Sequence, residues 1–230
     1  MKALSTLLNG SPLLPIIQTE QPEQAVAIAR AMRDGGVKAV EVVLRTPKAL
    51  AAISAIRAAL PDLLVGAGTV LNAEQAQACS WAGAQFLVSP AATPKLLEAM
   101  LSTGLPLAPG VQTVTEMAAA HELGLTELKF FPAHLSGGPA LLNAVRTILP
   151  KVQFCPTGGI GINNLADYLA LPNVFVVGGS WLTPAAALQN ADYDAVRLLT
   201  EQSLQIAATV LADKQLLADK QQTQQLKKSA

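Results

Sequence analysis

The chain has 230 residues, 51% of them hydrophobic and 14% charged, with 16 Lys and Arg balanced by 16 Asp and Glu. That composition supplies a large core and excludes a disordered chain. Five Phe, two Trp and two Tyr are the only aromatics and none interleaves with a basic stripe, so nucleic acid is excluded as a partner.

Met1 to Leu8 is mildly apolar, but Asn9-Gly10-Ser11-Pro12 interrupts it and no small-x-small cleavage site follows. No apolar run reaches the eighteen or so residues of a membrane span. A cytoplasmic protein without membrane contact is expected. Cys79 and Cys155 lack Cys-x-x-Cys spacing and read as reduced, buried thiols. His121 and His134 make no ligand pattern, so neither metal nor cofactor is expected.

Short β-branched runs begin at Leu13, Ala39, Leu64, Gln85, Pro106, Glu127, Gln153 and Val174, separated by 21 to 26 residues of mostly helical sequence. Eight such units at this length predict an α/β chain folded as a single (β/α)8 TIM barrel, since an open sheet usually stops at five or six strands. No Gly-x-Gly-x-x-Gly opens the first helix, which removes the case for a dinucleotide fold. Pro22, Pro47 and Thr93-Pro94 open helices, while Asn72 and Thr113 read as N-caps, the latter with Glu116 as a capping box. Gly35-Gly36, Gly83, Gly104 and Gly124 stop helices before the next strand. After Trp181 come a short helix over 184–189 and a closing helix from Asp192 to about Lys214. The barrel domain is thus residues 1–213, and the Gln- and Lys-rich tail, 214–230, reads as frayed or disordered.

Barrel active sites collect at the C-terminal ends of the strands. In the second strand Glu41, Val43 and Arg45 share one face and the apolar Val40, Val42 and Leu44 the other, which turns Glu41 and Arg45 inward. An inward carboxylate is either half of a structural Glu–Arg pair or a working group. In the sixth strand Lys129 and Phe131 share a face, and burial disfavours the charged form of an amine, making it a nucleophile toward carbonyls. A lone strand lysine more often lays its stem on apolar surface and reaches water; its company here argues otherwise. Thr69 ends the third strand and Ser89-Pro90 the fourth. Past the last two strands lie Thr157-Gly158-Gly159 and Gly178-Gly179-Ser180, paired glycines where this architecture holds phosphate on backbone N–H groups. An amine, a carboxylate, an arginine for a substrate carboxylate and a phosphate cradle, without metal, are the parts of Schiff-base chemistry on a keto acid.

The runs 40–46 (VEVVLRT), 66–71 (GAGTVL), 129–133 (KFFPA), 154–160 (FCPTGGI) and 178–182 (GGSWL) resemble the bacterial 2-keto-3-deoxy-6-phosphogluconate (KDPG) and 4-hydroxy-2-oxoglutarate (KHG) aldolase family, in register over about residues 10 to 210. The resemblance implies a class I aldolase and a homotrimer of barrels, with a phosphorylated keto acid as substrate and pyruvate as product. It further implies Lys129 as the imine-forming residue and Glu41 as the acid/base. Arg45 and Thr69 would meet the carboxylate, and Thr157 the C2 oxygen. Gly158, Gly159, Gly179 and Ser180 would meet the phosphate, while Pro90 and Phe131 shape the pocket. His134, where an acidic residue is usual, and Ala91, where glycine is common, depart from the pattern and bear on substrate preference. Two alternatives stay open: the phosphogalactonate aldolase, differing at C4, and a silent barrel that only binds a phosphosugar acid.

Overall fold

In a computed structural model, which describes residues 2–229, every stretch read as a strand forms one, and the fifth is broken in two. Met1 and Ala230, the outer ends of the two segments set out above, lie outside the described residues. The strands are β1 (Leu13–Ile17), β2 (Ala39–Val43), β3 (Leu64–Gly68), β4 (Leu87–Val88), β5 (Leu107–Ala108), β6 (Gly110–Val111), β7 (Glu127–Phe130), β8 (Gln153–Pro156) and β9 (Val177–Gly179). All pairings are parallel, as connections that run through a helix require. They make a six-stranded sheet, β5-β4-β3-β2-β1-β9, and a three-stranded sheet, β6-β7-β8. The result is an α/β fold on a parallel half-barrel. Pro109, with no N–H to donate, separates β5 from β6, yet its carbonyl accepts from Lys129 N at 2.9 Å. Isolated parallel bridges, Phe154 to Val174 and Thr157 to Gly178, join the β8 region to the β9 region.

The helices between them are α1 (Leu4–Leu8), α2 (Pro22–Asp34), α3 (Ala49–Ala59), α4 (Ala73–Trp81), α5 (Pro94–Ser102), α6 (Val114–Glu122), α7 (Gly138–Ile148), α8 (Leu165–Leu169), α9 (Ala185–Gln189) and α10 (Tyr193–Ser229). Their starts follow the caps: Asn72 accepts from Gln75 N, Thr93 from Leu96 N, and Thr113 with Glu116 closes a full capping box. Pro47 does not open α3. Lys48 is its N-cap, because residues 43–46 first make a tight turn in which Arg45 N donates to Val43 O. The last helix carries helical backbone through residues 214–229, the stretch read as a frayed helix or disordered; its Gln, Lys, Ala and Leu are all good helix formers. Lys214 anchors it, donating to the carbonyls of Leu169, Leu171 and Val174 at 3.4, 2.7 and 3.3 Å around the C-terminus of α8. No helix among the described residues is long and apolar enough to cross a membrane.

Two apolar clusters fill the molecule. The larger packs Val40, Val42, Leu128, Phe130 and Phe154 against the helices. The smaller takes Leu14, Phe86, Val88, Cys155 and Val176 from the opposite faces of the strands. Helix α1, absent from the sequence reading, adds Leu4 and Leu8 to this second cluster. It is tied to β7 by Ser5, whose backbone N–H donates to Glu127 Oε2 at 3.1 Å and whose hydroxyl donates to Oε1. Strand parity therefore leaves Glu41 and Lys129 on the face turned away from the helices.

Candidate active site

Glu41 sits mid-strand in β2 and is fully buried; Lys129 in β7 is 3% exposed. Their strands belong to different sheets, and the side chains meet across the interior with Lys129 Nζ 3.1 Å from Glu41 Oε1. The second carboxylate oxygen, Oε2, is buried without a hydrogen-bond partner among the described residues. An ion pair in so dry a setting is poor value for stability, because desolvating both ions offsets their attraction. The Nζ also lies 5.6 Å from the centroid of the Phe131 ring, over its face. Cys155, opposite Lys129 in β8, has its thiol pushed up to about 12, chiefly by burial, and is held uncharged beneath the pair.

Above the amine opens a cleft of about 90 Å³, lined by Ile16, Arg45, Lys129, Phe131, Thr157, Gly158, Gly159, Ile160, Gly179 and Ser180. Clefts of about 330 Å³ between α3 and α4 and about 430 Å³ beside the exposed Lys38 and Asp62 are larger, but neither holds a buried amine against a buried carboxylate. Chemistry, not volume, marks the site. Arg45, exposed at the end of β2, makes no ion pair among the described residues, which leaves its fork free for a carboxylate.

The far wall is built from backbone. Gly158 and Gly159 have φ of +100° and +73°, conformations that side chains resist. A Cβ on Gly159 would also fall 2.5 Å from His134 Cβ. The loop after β7 is laced to this turn: Ala133 N donates to Thr157 O at 2.8 Å and His134 N to Gly158 O at 3.0 Å. The turn is therefore held by its carbonyls against the loop that follows the Lys129 strand.

Eight of the residues singled out in the sequence line the cleft, and Glu41 touches its lysine from behind. Thr69 and Pro90 do not line it. Thr69 is half-buried at φ +59°, an unusual backbone for a β-branched residue, and Pro90 packs on Gly110, the partner of Lys129 in β6. Ala91 follows Pro90 with its N–H 2.5 Å from where a Gly110 Cβ would stand. Two lining residues, Ile16 and Ile160, escaped the sequence reading. Ile16 pairs with Glu41 in register, but β1 is buried at all five positions and shows no alternation that would single it out.

A parallel α/β scaffold that brings a buried amine and carboxylate to the strand ends, facing a glycine turn, is that of an amine-dependent aldolase, a carbon–carbon lyase. The chain belongs to the KDPG and KHG aldolase family, whose sequence model matches residues 4–199. It is 45% identical over 198 residues to the 2-dehydro-3-deoxy-phosphogluconate aldolase of Treponema pallidum, covering 86% of this chain and 94% of that one. To the KHG/KDPG aldolase of Escherichia coli K12 it is 45% identical over 200 residues, covering 87% and 94%. Among solved structures, it superposes with a TM-score of 0.83 and 40% identity on the KDPG aldolase of Legionella pneumophila, captured with pyruvate as a covalent carbinolamine, covering 86% of this chain and 96% of that one.

Proposed function

We propose that this enzyme cleaves 2-dehydro-3-deoxy-6-phosphogluconate to pyruvate and glyceraldehyde 3-phosphate, and 4-hydroxy-2-oxoglutarate to pyruvate and glyoxylate, with Lys129 as its imine-forming amine. The observation that carries the reading is the buried 3.1 Å contact between Lys129 Nζ and Glu41 Oε1 at the floor of the cleft.

In this scheme Lys129 passes a proton to Glu41 as its amine adds to the C2 carbonyl, and Glu41 hands that proton on to the carbinolamine hydroxyl so that water leaves. The resulting iminium accepts the electron pair of the C3–C4 bond. Glu41 takes the C4 hydroxyl proton as that bond breaks, and the aldehyde departs. The enamine left on Lys129 is protonated at C3, again from Glu41, and water returns the imine to pyruvate and free amine. A carboxylate that both accepts and gives protons needs an oxygen not committed elsewhere; Oε2, which lacks a partner, supports that role. Arg45 and Thr69 hold the substrate carboxylate and Thr157 the C2 oxygen. Gly158, Gly159, Gly179 and Ser180 hold the phosphate, and Phe131 and Pro90 shape the wall between.

The same proposal takes residues 1–213 as the catalytic domain and assigns no chemistry to 214–230. It takes the two sheets as arcs of one closed (β/α)8 barrel, supported by the Pro109 break within one strand position and by the two bridges between the β8 and β9 regions. A homotrimer in the cytoplasm completes it, with Trp81 (80% exposed) and Leu135 (84% exposed) as apolar surface available for contact between copies. Steady-state assays on the phosphogluconate, phosphogalactonate and hydroxyoxoglutarate substrates test the assignment. It requires the first to give the highest kcat/KM of the three, and a preference for the galactonate epimer would replace it.

A further inference from the structure

We propose that Gly68 is a positioning residue for Glu41: its missing side chain is the space in which the carboxylate is held against Lys129. The inference rests on the reading of Glu41 as the proton-moving group, and starts from a glycine without a backbone reason to be there. Gly68 is buried in β3 and is not among the glycines with positive φ. Alanine at such a place is favoured over glycine, which weakens a strand interior. A Cβ here, however, would stand 2.6 Å from both Cγ and Cδ of Glu41 and closer still to Oε1.

Register explains the geometry. Glu41 is paired with Gly66 and Val43 with Gly68, so Gly68 is the diagonal neighbour toward which the Glu41 side chain leans. The ring of Phe86 occupies the space over Gly66, and Ile16 pairs with Glu41 on the other side. A methyl group on residue 68 therefore displaces the carboxylate from Lys129 rather than the strand from its sheet. The device recurs at Gly178, where a Cβ would run into Thr157 Oγ1. Two inward glycines thus each seat one polar side chain of the cleft region.

A double-mutant cycle over Gly68→Ala and Glu41→Ala tests this, read by thermal melting and, for Gly68→Ala, by kcat, KM and the pH dependence of kcat. Misplacing a catalytic group by about 1 Å lowers turnover on the order of a hundredfold, and a loss of that order in kcat is expected with little change in KM and a displaced pH profile. Gly68→Ala should lower Tm in the wild-type background and leave it unchanged or raised in the Glu41→Ala background. If the single variant does not fold but the double does, the coupling stands. Wild-type kcat and pH profile in Gly68→Ala, equal destabilisation in both backgrounds, or failure of single and double alike to fold would each overturn it. Glu41→Gln with undiminished kcat would instead remove the acid/base reading, while the melting cycle still decides whether the glycine seats the side chain.

Discussion

Lys129 and Glu41, 88 residues apart in sequence, form a hydrogen-bonded ion pair that joins the two sheets through the interior of the fold. Both are almost completely enclosed, yet one carboxylate oxygen stays unpartnered. The proposed function gives them a chemical value, and the expected consequences separate chemistry from stability.

Glu41→Gln removes the proposed proton carrier while keeping shape and volume. Turnover should fall by about 100-fold or more, the usual loss for a general acid–base. Circular dichroism on the same samples checks that the fold is retained, and most of the kcat surviving would assign the proton transfers elsewhere.

Replacing the whole pair is expected to do the opposite to stability. Lys129→Met with Glu41→Met should abolish activity while holding or raising Tm, since a buried ion pair is often neutral to stability or worse than apolar groups of similar volume. Either substitution alone should lower Tm by leaving one ion without its partner. A double variant less stable than both singles would make the pair a structural element.

With the phosphate assigned to the Gly158-Gly159 turn as proposed, Gly159→Ala should weaken the grip on it specifically. The position has φ of +73°, and a methyl group there strikes His134, so the turn has to move. KM for the phosphorylated substrate should rise by about tenfold, the equivalent of one charge-assisted hydrogen bond. KM for 4-hydroxy-2-oxoglutarate should hardly change, and an equal rise for both would place the phosphate elsewhere.

The two thiols give a pH signature. Burial pushes both Cys79 and Cys155 up to about 12 from 9.0, so the folded state keeps its thiol protons while the unfolded chain loses them. More protons are then bound in the native state, and stability must fall as pH rises from about 9 toward 12. Cys79→Ala should flatten that decline in a series of melts. Native protein at pH 8 should resist iodoacetamide at both sites and react once unfolded.

Much of this was legible in the sequence because a βα unit leaves a period. The starts of β1, β2, β3, β7 and β8 coincide with those read from the spacing, and parity alone turned Glu41 and Lys129 to the same side of the sheets. What parity cannot supply is distance. Nothing in a strand pattern says that positions 41 and 129 meet at 3.1 Å, because that depends on how the sheets curve toward each other. Helix α1 was invisible for another reason: five residues carry no helical period, and its place is set by Leu4 and Leu8 entering the cluster around Phe86 and by the bonds to Glu127. Pro109 could be read as a strand end but not as an interruption, since its carbonyl still pairs with β7. The glycines of β3 permit close approach by neighbouring groups or a bend at the strand end; only the side chains of Phe86 and Glu41 packed against them show which groups approach.

The most direct measurement is intact-protein mass spectrometry after incubation with pyruvate and borohydride, followed by peptide mapping. A stable adduct of one reduced pyruvate imine per chain should appear on Lys129 and vanish in Lys129→Ala. No mass increase on the wild-type protein, or an adduct on any other lysine, would contradict the assignment of the nucleophile.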